Sequence, residues 1–248
     1  MLPLSDPDIR RRRFPIVNIS LIALCAIVFI YELTLDQTDR MLLFYRFGMI
    51  PSELTRGISY HALSTPTGNF DIATPFSDWI TLFTYMFLHG DWMHFASNML
   101  FLWVFGKTIE DRFGHVPYLL LYIGAGLAAS WMQIAVNMHS EVPTIGASGA
   151  IAGVLGAYFL LYPFSRIRTL VVFIFIVFVR IPAFLLLGFW ILLQFVEGLG
   201  SLGPSTQTGG VAYWAHIGGF IVGVMVAALV NLFTPARRGH RPSSWRER

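Results

Sequence analysis

Long apolar runs, separated by short segments that carry prolines, charges or both, organise this chain. The first runs from Pro15 to Leu33, directly after the block Arg10 to Arg13. Others lie within 91–112, within 116–137, from Ala147 to Tyr162 and from Val211 to Phe233. A helix needs about 20 mostly apolar residues to cross about 30 Å of hydrocarbon, so these runs read as membrane spans. Between the fourth and last lies Leu170 to Val196, which contains Arg180 and Pro182. A charge at mid-membrane is costly, so the span is expected to start after the arginine, at Ile181, and end at Val196. Leu170 to Val179, rich in β-branched and aromatic residues, is expected to pack at the inner face. Residues 34–78 hold Pro51, Pro66 and Pro75, three arginines and several acids, and read as a large outer loop. Within it the aromatic stretch Met41 to Ile50 suits the membrane interface.

Composition agrees with spans rather than a soluble core. The 248 residues are 55% apolar, 15% aromatic and only 12% charged, with a mean hydropathy of +0.63. A soluble surface needs about a quarter charged residues. The same figures exclude disorder, and the single Cys25 excludes an intrachain disulfide scaffold. The first run is long for a signal peptide and no small-residue cleavage site follows it, so it reads as a retained anchor.

Charge supplies the orientation. With six spans both termini share a side, which then holds Arg10 to Arg13, Lys107, Arg112, Arg166, Arg168, Arg180 and the five tail arginines, whereas the other side holds only Arg40, Arg46 and Arg56. The positive-inside rule places both termini in the cytoplasm. The net charge of +3 therefore reflects lipid-facing flanks. No basic stripe with interleaved aromatics is present, and nucleic acid is not an expected partner. Short termini without a transit segment suggest a bacterial inner membrane.

Polar side chains inside spans are the informative ones, because each must find a partner in hydrocarbon. Three places stand out: His94 with Asn98 in the second span, Ser148 within Gly146-Ala147-Ser148-Gly149 at the start of the fourth, and His216 in the sixth. The second, fourth and sixth spans all enter from the outer side, with His94 and His216 expected one to two turns below their starts. The fourth run covers only about 24 Å, so its outer end should be sunk and the four residues could share a level roughly a third of the way in.

The chemistry suits that level. Ser148 would be a nucleophile activated by a neutral His216. The Ser148 amide, at a helix start, would donate to a developing oxyanion. His94 and Asn98, four apart on one helical face, would add two donors. Each element also has a plainer reading. A lone intramembrane serine usually bonds its own helix or lets helices approach; His94 and Asn98 suit an interhelical hydrogen bond; His216 alone fits an ion path, a metal ligand or a base. Gly146, Gly149, Gly153, Gly156, Gly219 and Gly223 suit close helix packing. His89, His94 and His216 lack the H-E-x-x-H spacing and an adjacent carboxylate, which leaves zinc a minor option. His61, His115, His139 and His240 are expected to be solvated.

At these residues the sequence resembles the rhomboid family of intramembrane serine proteases. The matching pieces are His89-Gly-Asp-Trp-Met-His94-Phe-Ala-Ser-Asn98, Gly146-Ala-Ser148-Gly149 and Ala215-His216-Ile-Gly-Gly219-Phe-Ile-Val-Gly223, in family order over about 76–234. The resemblance implies an all-α polytopic membrane protein, a six-transmembrane-helix rhomboid-like bundle spanning 15–234, between a basic N-terminus (1–14) and a basic tail (235–248). It implies a Ser148–His216 dyad that cleaves transmembrane-anchored proteins, an oxyanion hole of His94, Asn98 and the Ser148 amide, and a structural role for His89. Gly219 and Gly223 match the residues that bring the sixth span against the fourth. No cofactor or metal is implied, the partners are membrane lipids and transmembrane substrates, and no oligomeric state is implied. Ala152 stands where some members carry a tyrosine on the catalytic imidazole, so another side chain must orient His216. The Trp-Arg pair that some members carry in the first outer loop is replaced by Ile80 and Thr81. The alternative is an inactive relative that binds transmembrane helices.

Overall fold

A computed structural model describes residues 1–65, 68–172, 176–202 and 210–233. The tail 235–248, with His240, lies outside the described residues. The molecule is a helical bundle. A short strand β1 (Leu2–Ser5) precedes α1 (Ile16–Thr34), α2 (Gln37–Phe47) and α3 (Pro51–Arg56); a hairpin of β2 (Ala62–Thr65) and β3 (Gly68–Asp71) follows. After the short α4 (Thr81–Thr84), α5 (Trp92–Phe101) continues through a π-helical segment, Leu102–Gly106, into α6 (Lys107–Phe113). Then come α7 (His115–Val136), α8 (Ser148–Leu161), the strands β4 (Arg166–Val172) and β5 (Ile176–Pro182), α9 (Ala183–Gly200) and α10 (Tyr213–Phe233). Among the described residues α1, α7, α9 and α10 are long and apolar enough to cross a membrane, and α8 is a shorter apolar helix.

The centre of the bundle is α8, buried without interruption from Gly149 to Tyr158. Glycines allow its neighbours to approach that closely. A Cβ on Gly219 would overlap the carbonyl oxygen of Gly149, and one on Gly223 that of Gly153, so α10 lies backbone to backbone on α8. On the other side, a Cβ on Gly149 would come 2.6 Å from Cβ of Ala129 in α7. Small residues let helices pack tightly where no hydrophobic drive exists between them and lipid. Helix α9 starts after Arg180, as the sequence reading expects, but Ile181 and Pro182, expected within the span, belong to β5, and the helix runs on past Val196 to Gly200; it packs on α10 and α8.

Carboxylates tie the ends together. Glu110 of α6, fully buried, accepts from the amides of Val17 (2.9 Å) and Asn18 (2.8 Å), satisfying two of the free N–H groups at the start of α1. It also meets His115 Nδ1 at 2.5 Å, so His115 is not the freely solvated side chain expected. Asp111 accepts from the amides of Arg12 (2.9 Å) and Arg13 (2.7 Å). At the other end Glu32 of α1 accepts from the His89 amide at 3.1 Å.

The architecture is mostly helical, as expected, but it also carries a sheet that an all-α reading does not include. Strands β1, β4 and β5 form a three-stranded antiparallel sheet, with Leu2 opposite Leu170, Arg168 opposite Arg180, and Leu170 opposite Phe178. Leu170 to Val179, expected merely to pack at the inner face, supplies half of the described residues of β4 and β5, with 173–175 outside the described residues. Valine and isoleucine are stiff at χ1 and favour the pleated surface over a helix. One face buries Ile167 and Thr169 against the bundle; the other exposes Arg166, Arg168 and Phe178. Part of 1–14 is likewise packed: β1 lies along α5 and the π segment, and the buried Asp6 accepts from the hydroxyls of Tyr158 (2.6 Å) and Ser165 (2.8 Å). The 34–78 segment is also structured: Met49 and Thr144 exchange backbone hydrogen bonds of 3.0 and 2.8 Å, pinning the loop to the segment that leads into α8.

Candidate active site

The segment 144–147 sets the start of α8. Gly146 adopts φ +122°, a conformation suited to glycine, and its amide donates to the Tyr85 carbonyl at 2.8 Å. A Cβ there would lie 2.6 Å from Nε2 of His94 and 3.7 Å from Oγ of Ser148. The turn therefore needs glycine twice over, for its dihedral and for the histidine resting on it. The helix then opens on Ser148, whose amide is among the four N–H groups that a helix start leaves without intrahelical acceptors.

Helix α10 brings His216 opposite. Its Nε2 lies 2.7 Å from the Ser148 hydroxyl, across a separation of 68 residues. His216 is buried, 8% exposed, and Ser148 is half-buried; both line one cavity. The Nδ1 of His216 meets Oε1 of Gln194 at 2.7 Å, and the indole of Trp190 lies 5.7 Å from the ring at 35°. Both residues come from α9, one turn apart. No pattern singled out Gln194, although it is the lone amide in the apolar run Ile181 to Val196.

On the facing helix, Asp91 caps α5 by accepting from the amide of His94 at 2.9 Å. His94 Nδ1 accepts from the Gly90 amide at 3.4 Å, which leaves the ring proton of a neutral imidazole on Nε2, over Gly146. Asn98 follows one turn later; its Nδ2 is buried with no acceptor. His89 is fully buried beneath them, its Nδ1 donating to the Phe87 carbonyl at 3.2 Å and its ring edge-on to His94 at 5.3 Å. His94 and His216 are the third and fourth residues of their helical segments, nearer the helix starts than the expected one to two turns. Gly149, Gly219 and Gly223 lie at the backbone contact of α8 and α10. Among the described residues no three His, Cys, Asp or Glu side chains are grouped to hold a metal ion.

A cavity of about 1440 Å³ opens over these groups between the starts of α5, α8 and α10 and the ends of α7 and α9; His94, Asn98, Ser148, Trp190, Glu197 and His216 all line it. A hydroxyl bonded to an imidazole, an unpaired buried amide and a helix start face one cavity. That set is suited to acyl transfer at a site flanked by apolar helices.

A mostly helical protein with several helices long and apolar enough to cross a membrane, and a polar pocket among their ends, is the class this architecture defines. The Rhomboid domain model matches residues 77–232, and the chain belongs to the rhomboid family. It is 28% identical over 159 residues to Rhomboid protein 1, mitochondrial, of Saccharomyces cerevisiae, covering 62% of this chain and 43% of that protein. It is 31% identical over 173 residues to Rhomboid-like protein 11, chloroplastic, of Arabidopsis thaliana, covering 65% and 56%. It is 32% identical over 158 residues to Rhomboid protease GluP of Bacillus subtilis, covering 62% and 27%. The matches thus span between about a quarter and a little over half of those relatives' lengths.

Proposed function

We propose that this chain is an intramembrane serine endopeptidase that cleaves transmembrane-anchored proteins through Ser148 and His216. The observation that carries this reading is the 2.7 Å contact between the Ser148 hydroxyl and His216 Nε2 at the floor of the open cavity. Membership of a family that includes a named protease supports it.

In this reading His216 takes the hydroxyl proton as Ser148 Oγ attacks the scissile carbonyl. The new oxyanion is held by the Ser148 amide, the Nε2–H of His94 and the Nδ2–H of Asn98, groups already in place before charge develops. His216 then protonates the leaving amine as the C–N bond breaks, which leaves an acyl ester on Ser148. Water from the cavity, deprotonated by His216, hydrolyses that ester and restores the hydroxyl. A substrate helix hides its carbonyls in hydrogen bonds, so segments with helix-weakening residues near the cut are the preferred substrates.

The proposal includes six spans, with the unbroken Trp92 to Phe113 helix and α8 joining the four longer ones. At 1.5 Å per residue α8 covers only about 21 Å, short of the hydrocarbon thickness, which sinks its outer end and Ser148 with it. It also sets the membrane domain at 15–234, both termini in the cytoplasm and the site opening outward, in a bacterial inner membrane.

Purified protein in detergent, incubated with a single-span substrate, tests the reading. Cleavage by the wild type should fall to background in Ser148→Ala and in His216→Ala. Undiminished cleavage by either variant removes the assignment. A wild type that neither cleaves nor reacts with a fluorophosphonate probe would instead make the chain an inactive, helix-binding member.

A further inference from the structure

The imidazole of His216 is useful as a base only in one tautomer and one orientation, with its bare nitrogen on the Ser148 hydroxyl. In serine hydrolases that use a triad, a buried carboxylate holds the ring in that state from the far nitrogen. Among the described residues no carboxylate is hydrogen-bonded to His216. Its Nδ1 meets Gln194, a residue 8% exposed in the otherwise apolar stretch Ala183 to Val196 of α9.

The hydrogen bonds of Gln194 fix which of its two amide atoms faces the ring. One end of the amide meets the backbone carbonyl of Trp190 at 3.2 Å. A carbonyl can only accept, so that end is the NH₂ group, and the other end, Oε1, is left facing His216 Nδ1 at 2.7 Å. An amide oxygen can only accept as well. The proton of a neutral His216 must therefore sit on Nδ1, which leaves Nε2 with its lone pair toward Ser148 Oγ, 2.7 Å away. The chain of donors and acceptors runs one way, from Ser148 through His216 and Gln194 to the helix backbone of α9. Trp190, one turn earlier on α9, lies against the ring and limits its rotation.

We propose that Gln194 is the positioning residue of this site: it selects the Nδ1–H tautomer of His216 and holds the ring against Ser148, as a neutral stand-in for the triad carboxylate. This assignment rests on the reading of Ser148 and His216 as nucleophile and base. A neutral acceptor fits the depth of the site, since a carboxylate at that position would be a buried charge in hydrocarbon. It orients the ring without stabilising the imidazolium as strongly as a carboxylate does. The other ionisable groups facing the same cavity are His94 of α5, Asp91 at the start of α5, His139 and Glu141 in the segment before α8, Glu197 of α9, and Tyr213 at the start of α10; none of them is hydrogen-bonded to Nδ1, whose partner is Gln194.

Two measurements on the full-length protein test the assignment. The first is ¹⁵N NMR of histidine-labelled protein in detergent, which reads the tautomer of His216 whether or not any substrate is cut. The wild type and Ser148→Ala should show a single Nδ1–H tautomer, and Gln194→Ala a mixture. The second is the pH profile of cleavage. Gln194→Ala should lower kcat by about ten- to a hundred-fold with KM little changed, below the about 10⁴-fold that a wrong tautomer costs a triad enzyme. Gln194→Glu keeps the shape and restores an acceptor. Its carboxylate favours the protonated ring, so the acid limb of the profile, which reports loss of the neutral base, should move up by about one pH unit or more. A role confined to packing would lower stability without moving that limb. The assignment is overturned by a single unchanged tautomer in Gln194→Ala, or by an acid limb in Gln194→Glu that stays where the wild type has it. Should Gln194→Ala fail to fold, the near-isosteric Gln194→Glu decides alone through both readouts. A wild type that does not cleave would sink the protease reading while the tautomer measurement still decides for Gln194.

Discussion

Asn98 is the residue at which folding and the proposed chemistry pull in opposite directions. Its Nδ2 is buried and has no acceptor, and leaving a buried donor unpaired costs about 1–3 kcal/mol. A developing oxyanion on a substrate attacked by Ser148 would supply the missing acceptor. Asn98→Ala is therefore expected to lower kcat by about 10² to 10³ while leaving the thermal unfolding midpoint level or raised, read by cleavage assays and thermal melts on the same preparation. A fall in stability matching the fall in rate would make Asn98 a packing residue instead. His94 is tied differently, since its backbone amide and its Nδ1 are both engaged by neighbours, and only its Nε2 is turned to the pocket.

At the scale of elements, the contact of α8 with α10 positions the site, because Ser148 and His216 stand at the starts of these two helices. Gly223 is the sharpest point of that contact: a Cβ there would overlap the carbonyl oxygen of Gly153 with no flexible atom to move. Gly223→Val should destabilise the fold by about 1–3 kcal/mol or more and abolish reaction of Ser148 with a fluorophosphonate, whereas Gly124→Ala, where a Cβ meets nothing within 4 Å, should change neither. The glycine spacing that marks this contact is plain in the sequence. The sheet is not. Leu170 to Val179 is apolar throughout, so neither a two-residue nor a 3.6-residue period shows, and such a run cannot be told from buried helix by pattern. The four residues of β1 carry no strand signal; their pairing with β4, some 165 residues away, makes them a strand.

For the whole molecule, contacts of Asp111 with Arg12 and Arg13 and of Asp8 with Arg166 put residues 10, 113 and 164 at one end of the bundle, and α7 carries the chain from there toward 141. The proposed orientation predicts that, in intact bacterial cells, a membrane-impermeant maleimide labels Glu141→Cys but labels Arg10→Cys and Phe164→Cys only after permeabilisation. The native Cys25 is fully buried and should not compete. Labelling of Arg10→Cys in intact cells would reverse the orientation.

Sequence alone set where the long apolar helices lie, because the cost of placing a side chain in hydrocarbon is summed along a local stretch and needs no knowledge of neighbours. It also picked out Ser148, His94, Asn98 and His216, since polar groups in such stretches are conspicuous. What only the tertiary structure decided are the partners: Gln194 for His216, Glu110 for the start of α1, Asp6 for Tyr158, and β1 for β4. Each joins residues far apart in the chain, and the energy of such a bond depends on which helix faces meet, a quantity that no single segment contains.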